Sequence, residues 1–154
     1  MLSGFNFEGL PRQIPDNTDY LYDYLQYKDQ EDMNKVKDAI EEFCSLTSEK
    51  MNQNKKQDHP ILHEVCEQVV HNFELLKGLW KLQNLKPYWN NQNYTDKYGL
   101  TALERLSIRM HTLSNDKQNW IRENMKVNSF CDFDNLYSPS GNYNVKYIRE
   151  HCNC

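Results

Sequence analysis

Asp58-His59-Pro60-Ile61-Leu62-His63-Glu64-Val65-Cys66-Glu67-Gln68-Val69-Val70-His71-Asn72-Phe73-Glu74-Leu75-Leu76-Lys77-Gly78-Leu79-Trp80-Lys81-Leu82 is the stretch that decides the fold. Ile61, Leu62, Val65, Cys66, Val69, Val70, Phe73, Leu76 and Trp80 recur at helical spacing and make one wide apolar face. Pro60 suits a first helical turn, where its missing N–H leaves no bond unmade. Lys86-Pro87 then closes the pattern. The spacing predicts one continuous helix over about 58–82, at the centre of a helical core.

Outward from that helix, the same period recurs on both sides. Thr101-Ala102-Leu103-Glu104 has the Ser/Thr-x-x-Glu form of a capping box, which satisfies N–H groups that a helix start leaves orphaned. Leu103, Leu106, Met110 and Leu113 continue it as an apolar stripe. Ser114 or Asn115 restarts the chain as a helix carrying Trp120, Ile121 and Met125. Ser138-Pro139-Ser140-Gly141 marks 130–142 as loop, and 143–151 forms a last short helix. On the N-terminal side, Met33, Val36, Ile40, Phe43 and Thr47 predict a helix over about 31–50, followed by an exposed polar loop, 51–57. Asp16 or Thr18 caps a short helix presenting Tyr20, Leu21, Tyr24 and Leu25, and residues 1–16, with two Gly and two Pro, read as an irregular arm. The expected architecture is all-α: an irregular bundle of four to six helices with long loops, one domain over 1–154, stapled by disulfides.

Composition agrees with helices and narrows the partners. The 154 residues suit one domain, and only 5 Gly and 5 Pro are present. Mean hydropathy is −0.91, yet 10 Tyr and 3 Trp argue for a packed core rather than disorder. Net charge is −4 with the basic residues scattered, so no nucleic-acid footprint is expected. No run approaches the roughly 20 apolar residues of a membrane span, and 1–7 is too short and mixed for the apolar part of a signal peptide. The end on Cys152-Asn153-Cys154 reads as a trimmed chain.

Chemistry-bearing residues are few. Cys44, Cys66, Cys131, Cys152 and Cys154 are the candidate disulfide positions. Cys44 and Cys66 fall on consecutive predicted helices, where a bridge closing a loop of about 20 residues contributes about 3 kcal/mol. Cys131 pairs with Cys152 or Cys154 in the same reading, leaving one cysteine over. His59, His63 and Cys66 share a helical face, but the paired Cys-x2-Cys spacing of structural zinc sites is absent and His63-Glu64 lacks a second His at i+4. No metal, cofactor or catalytic residue is assigned. Glu41, Glu42, Glu64 and Glu67 are expected on solvated outer faces. Asn93-Tyr94-Thr95 is a glycosylation sequon in a loop, as chance also places one in an Asn-rich chain. The tyrosine-rich segments supply the interface candidates Tyr20, Tyr24, Tyr88, Trp89, Tyr94 and Tyr98, because Tyr and Trp give contact area at low entropic cost. The same rings can instead close a small core.

The order of these features resembles a known family. Leu10-Pro11 precedes an aromatic helix; Phe43-Cys44 is followed by Pro60-Ile61 and Cys66, then Val70, Asn72-Phe73 and Leu75-Leu76. Asn119-Trp120-Ile121, Cys131-Asp132-Phe133-Asp134-Asn135-Leu136-Tyr137 and Lys146-Tyr147-Ile148 complete the series. This resembles the ectodomain of the Plasmodium interspersed repeat proteins, the variant antigen family that includes the vivax-type members. The chain departs from it between Leu103 and Leu113, which has neither the family's Cys nor its Trp. The resemblance implies a non-enzymatic parasite antigen exported to the infected cell surface, helical and disulfide-stapled, undergoing antigenic variation and meeting a host receptor or antibody. Two other classes stay open: an intracellular helical adaptor or inhibitor of viral or phage type with reduced cysteines, which would place the chain in a cytoplasm, and a small metal- or Cys-dependent enzyme.

Overall fold

The computed structural model describes residues 19–26, 31–54 and 58–151. Among them eight α-helices follow in order: α1 (Asp19–Tyr24), α2 (Met33–Cys44), α3 (Ser48–Asn54), α4 (Ile61–Glu67), α5 (Phe73–Trp80), α6 (Ala102–Arg109), α7 (Asn115–Met125) and α8 (Val145–His151). No strand occurs among the described residues; a single antiparallel bridge joins Tyr137 to Tyr143. The all-α expectation therefore holds, with more and shorter helices than the four to six expected. The irregular arm 1–16, Cys152 and Cys154 lie outside the described residues.

The central helix is not continuous. α4 stops at Glu67, a single 3-10 turn spans Val69–His71, and α5 begins at Phe73. Adjacent β-branched Val69 and Val70 resist helix continuation. Asn72 takes φ −137° and its side-chain amide donates to the Gln68 carbonyl at 3.2 Å, turning the chain. The new N-terminus is capped from a distance: both Glu31 carboxylate oxygens accept from Glu74 and Leu75 N–H, at 2.9 and 3.2 Å. The break aims α4 at α6 and α5 at α2. It also sends Val70, expected on the apolar face, out to solvent.

The expected 31–50 helix is likewise two. Asp32 caps α2, accepting from Asn34 N–H at 2.9 Å. At the other end the amide of Asn84 donates to the carbonyls of Phe43 and Leu46, at 3.0 and 3.1 Å, and so occupies groups that a longer helix would have bonded itself. α3 takes up part of the predicted polar loop 51–57, and Met51 and Asn54 are buried rather than exposed. Asn54 is fully used: its oxygen accepts from Ile61 N–H and from the Tyr94 hydroxyl, and its amide donates to the Lys50 carbonyl.

One large cluster runs through α1, α2, α4, α5, α6 and α7, from Leu21 and Phe43 to Ile121 and Val127. A smaller cluster of Leu100, Ile108, Phe130, Leu136 and Ile148 lies under the C-terminal segments. α6 bridges the two and is buried on nearly every side. Its capping box forms with both arms, Glu104 N–H to Thr101 Oγ1 at 3.2 Å and Thr101 N–H to Glu104 Oε1 at 2.8 Å. The same Glu104 carboxylate holds Arg149 of α8 at 2.6 and 3.0 Å, while Arg149 also donates to the Gly99 carbonyl.

Candidate functional site

The tyrosine-rich segments separate into core and surface. Tyr88, Trp89 and Tyr94, expected as interface residues, are buried. Trp89 meets Trp80 edge to face at 5.6 Å, and Tyr94 meets Tyr88 at 5.0 Å and His63 at 5.8 Å. The 83–98 segment is thus a plug in the core, because its rings cover apolar surface that the short helices leave open. Tyr20 and Tyr24 are half-buried along a shallow groove of about 240 Å3 between α1 and α2. Burial, with Glu31 next, pushes the Tyr24 hydroxyl up to about 12. Tyr98 alone of the six presents its ring openly, 36% exposed.

Tyr98 stands in a tight turn. Asp96 Oδ1 accepts from Tyr98 and Leu100 N–H at 2.9 and 3.0 Å, and Gly99 takes φ +88°, a conformation that costs a residue with a Cβ. The other oxygen of Asp96 pairs with Arg105 of α6. Arg105 also lies 3.3 Å from Glu67 of α4, and Glu67 pairs in turn with Arg109 one turn further along α6. Asp96, Arg105, Glu67 and Arg109 thus alternate in sign across the α4–α6 contact. Burial works against the Arg105 charge, but the hydrogen bond and charge of Asp96 more than offset it and raise its pKa. Glu67 is therefore a partner in the α4–α6 seam, not the solvated carboxylate expected; Glu64 bonds to Gln68 beside it.

Around this network the aromatics stack outward. The Arg105 guanidinium sits 5.0 Å from the Tyr143 ring and 5.6 Å from Tyr98, and donates to the Tyr143 hydroxyl at 3.1 Å. Tyr143 meets Tyr98 edge to face at 5.0 Å and stacks on Tyr137 at 5.0 Å. Tyr137 is 54% exposed. Further along the C-terminal segments, Phe133, 42% exposed, packs on His111 at 4.9 Å. Three of the exposed large apolar side chains among the described residues, Tyr98, Phe133 and Tyr137, thus belong to these ring contacts, with Arg105 beneath Tyr98. A recess of about 320 Å3 opens beside Tyr98 and Tyr143, walled by His59, Glu64, Glu67, Arg105 and Arg109.

The other sequence candidates lie elsewhere. Cys66 is fully buried, and burial pushes its thiol up, away from the thiolate that nucleophilic or metal chemistry needs. Cys44 is exposed at the end of α2, and Cys44, Cys66 and Cys131 are all unbonded thiols. The expected Cys44–Cys66 staple is absent, since one side chain faces the core and the other solvent. His63 is buried and its Nε2–H donates to the Leu100 carbonyl at 2.8 Å; burial lowers its pKa to about 4, so the ring is neutral. Among the described residues no group of three or more His, Cys, Asp and Glu is placed to hold a metal. No described helix is long and apolar enough to cross a membrane. Asn93 of the sequon is exposed in a turn, its N–H bonded to Asn91 Oδ1 at 2.8 Å.

Comparison with family models, with curated proteins and with solved structures finds no match to this chain.

Proposed function

We propose that the chain is a non-enzymatic binding domain whose contact face is the Tyr98–Tyr143–Tyr137 array. The observation that carries this is the burial of Arg105 beneath the exposed Tyr98 ring and the half-buried Tyr143 ring, on which the exposed Tyr137 stacks. Exposed aromatics held rigid by a charged anchor match the anchors that dominate protein-binding faces, since little side-chain freedom is lost on contact. The resemblance to the Plasmodium interspersed repeat antigens gives the face a setting: an exported domain on the infected cell, meeting a host receptor or antibody. A bridge from Cys131 to Cys152 or Cys154 belongs to this reading. Cys131 is exposed, and its neighbour Asp132 accepts from the Tyr147 hydroxyl of α8, whose last residue precedes Cys152.

Flow cytometry with the fluorescent full chain on host blood and endothelial cells tests the reading. Saturable binding is expected, lost in the Tyr98→Ser/Tyr137→Ser double variant and kept in Met33→Ser/Val70→Ser, which removes exposed apolar groups away from the face. No binding by the folded chain, or binding indifferent to Tyr98 and Tyr137, refutes it.

A second reading, an intracellular helical adaptor, draws support from the three unbonded thiols. Intact mass with and without reductant, after alkylation, separates the two. A disulfide in protein from an oxidising source favours the exported domain, and five alkylated thiols favour the adaptor.

A further inference from the structure

Away from the Tyr98 face, a recess of about 390 Å3 opens between α5 and α7, walled by Glu74, Lys77, Gly78 and Lys81 on one side and Trp120 and Asn124 on the other. Trp120 meets Phe73 edge to face at 5.9 Å and so joins α7 to α5. Lys77 and Lys117, from different helices, both lie over the Phe73 ring, 5.1 and 5.3 Å from its centre. Their ammonium groups are therefore at most about 10 Å apart, within about one Debye length at 0.1 M salt, and repel each other. Lys81 stands one turn beyond Lys77. Against these three lysines the described lining residues set one carboxylate, Glu74, 3.1 Å from Lys77. Lys81 and Lys117 have no carboxylate partner among the described residues, and Asp116 and Glu123 are exposed further round α7. The recess thus carries positive charge on a chain whose net charge is −4. Unlike the Arg105 network, these charges reach solvent: Lys81 is exposed, and Lys77 and Lys117 are half-buried.

An occupant must therefore be anionic and small in extent. A nucleic acid or an anionic bilayer spreads its charge far beyond one recess and would press on the negative remainder of the chain. A peptide confines two or three carboxylates to one place and brings apolar side chains with them. Spacing agrees. Side chains four apart on a helix leave it about 6 Å apart, and alternate residues of an extended segment are about 6.6 Å apart. Lying between α5 and Trp120, such a segment turns alternate side chains to each wall, acidic ones to the lysines and apolar ones to the indole.

We propose that this recess takes an extended acidic segment of a partner protein, its carboxylates on Lys77, Lys81 and Lys117 and its apolar side chains on Trp120. The site shares no residue with the Tyr98–Tyr143–Tyr137 array and goes beyond that reading. Fluorescence anisotropy with the full chain tests it, using a rhodamine-labelled Glu-Leu-Glu-Leu-Glu-Leu amide and its glutamine and lysine counterparts as probes. The glutamate peptide is expected to bind at about 20 mM salt and to weaken at least fivefold at about 0.2 M. Lys81→Glu/Lys117→Glu is expected to weaken it at least tenfold and to gain binding of the lysine peptide, with far-UV circular dichroism unchanged. Lys117→Glu alone places an acid in the first turn of α7, where the helix dipole favours it, and is expected to weaken binding about threefold. The indole N–H resonance of Trp120 should move during the titration and that of the buried Trp89 should not. Tyr98→Ser/Tyr137→Ser should bind the peptide as the native chain does, so the two surfaces fail separately. No binding of the glutamate peptide at low salt, equal binding of the glutamine peptide, or undiminished binding in the lysine variants overturns the proposal. So does loss of binding in the tyrosine variant, or tighter binding of single-stranded DNA or phosphatidylserine vesicles.

Discussion

Asp96→Ala is the perturbation whose cost the structure specifies best. The Asp96 side chain is fully enclosed and accepts from Tyr98 N–H, Leu100 N–H and the Arg105 guanidinium. Removing it strands a buried positive charge, and breaking one side of a buried pair costs about 3–5 kcal/mol. Glu67, partly solvated and 3.3 Å from Arg105, recovers a fraction of that. The two lost backbone bonds open the turn and add about 1 kcal/mol each. A net loss of about 4 kcal/mol follows. With a urea slope of about 2 kcal/mol/M, the unfolding midpoint falls by about 2 M. Urea titration at pH 7, followed by tryptophan fluorescence and circular dichroism together, reads this directly. Asp96→Ala/Arg105→Met should be distinctly more stable than the sum of its single variants, because no orphan charge remains. A midpoint shift under about 0.5 M with unchanged slope, or strict additivity in the cycle, would refute the view that this pair clamps the 96–100 turn to α6.

Cys66→Ala should cost about 1–2 kcal/mol, the size of a small core cavity rather than a lost bridge; in the native chain a thiol reagent should label the exposed Cys44 at once and the buried Cys66 only on unfolding. His63 makes stability pH-dependent. Its folded pKa of about 4 lies below the ordinary 6.5, so its contribution is complete above about pH 6.5 and is lost as pH falls toward 4. The loss reaches about 3 kcal/mol at most, and urea midpoints between pH 7 and 5.5 should flatten in His63→Gln. Gly99→Ala should destabilise by about 1–2 kcal/mol in thermal melts, although Val145 Cγ2 at 3.8 Å leaves room for the methyl, because the strain is in the backbone at φ +88°. Equal melting temperatures would show the turn to be relaxed.

Periodicity and caps were legible in the sequence because they are local. Thr101 with Glu104 announced α6, Ser114 or Asn115 announced α7, and the apolar face over 58–82 identified core helix, though as one continuous element. Breaks were not legible, because distant groups make them. Asn84 ends α2 and Glu31 starts α5 from far along the chain. The buried rings of Tyr88, Trp89 and Tyr94 were indistinguishable from surface rings, since a tyrosine-rich segment has the same composition in either place. The Asp96–Arg105–Glu67–Arg109 network left one trace, the four-residue spacing of Arg105 and Arg109 on a helix otherwise rich in leucine. Without a known partner helix, that spacing does not distinguish a buried pair from ordinary surface.

The interruption at Gln68–Asn72 bears on how quickly the chain reaches its native state. Neither half of 61–80 buries its apolar side against the other: α4 waits for α6, downstream, and α5 needs α2, upstream. His63 and its acceptor Leu100 are separated by 37 positions. Helices this short are not stable alone, so each must await a remote partner before it persists. An all-helical chain is ordinarily a fast folder because its contacts are local. Here the decisive contacts span long loops, and the refolding rate should fall toward that of mixed α/β domains of similar size.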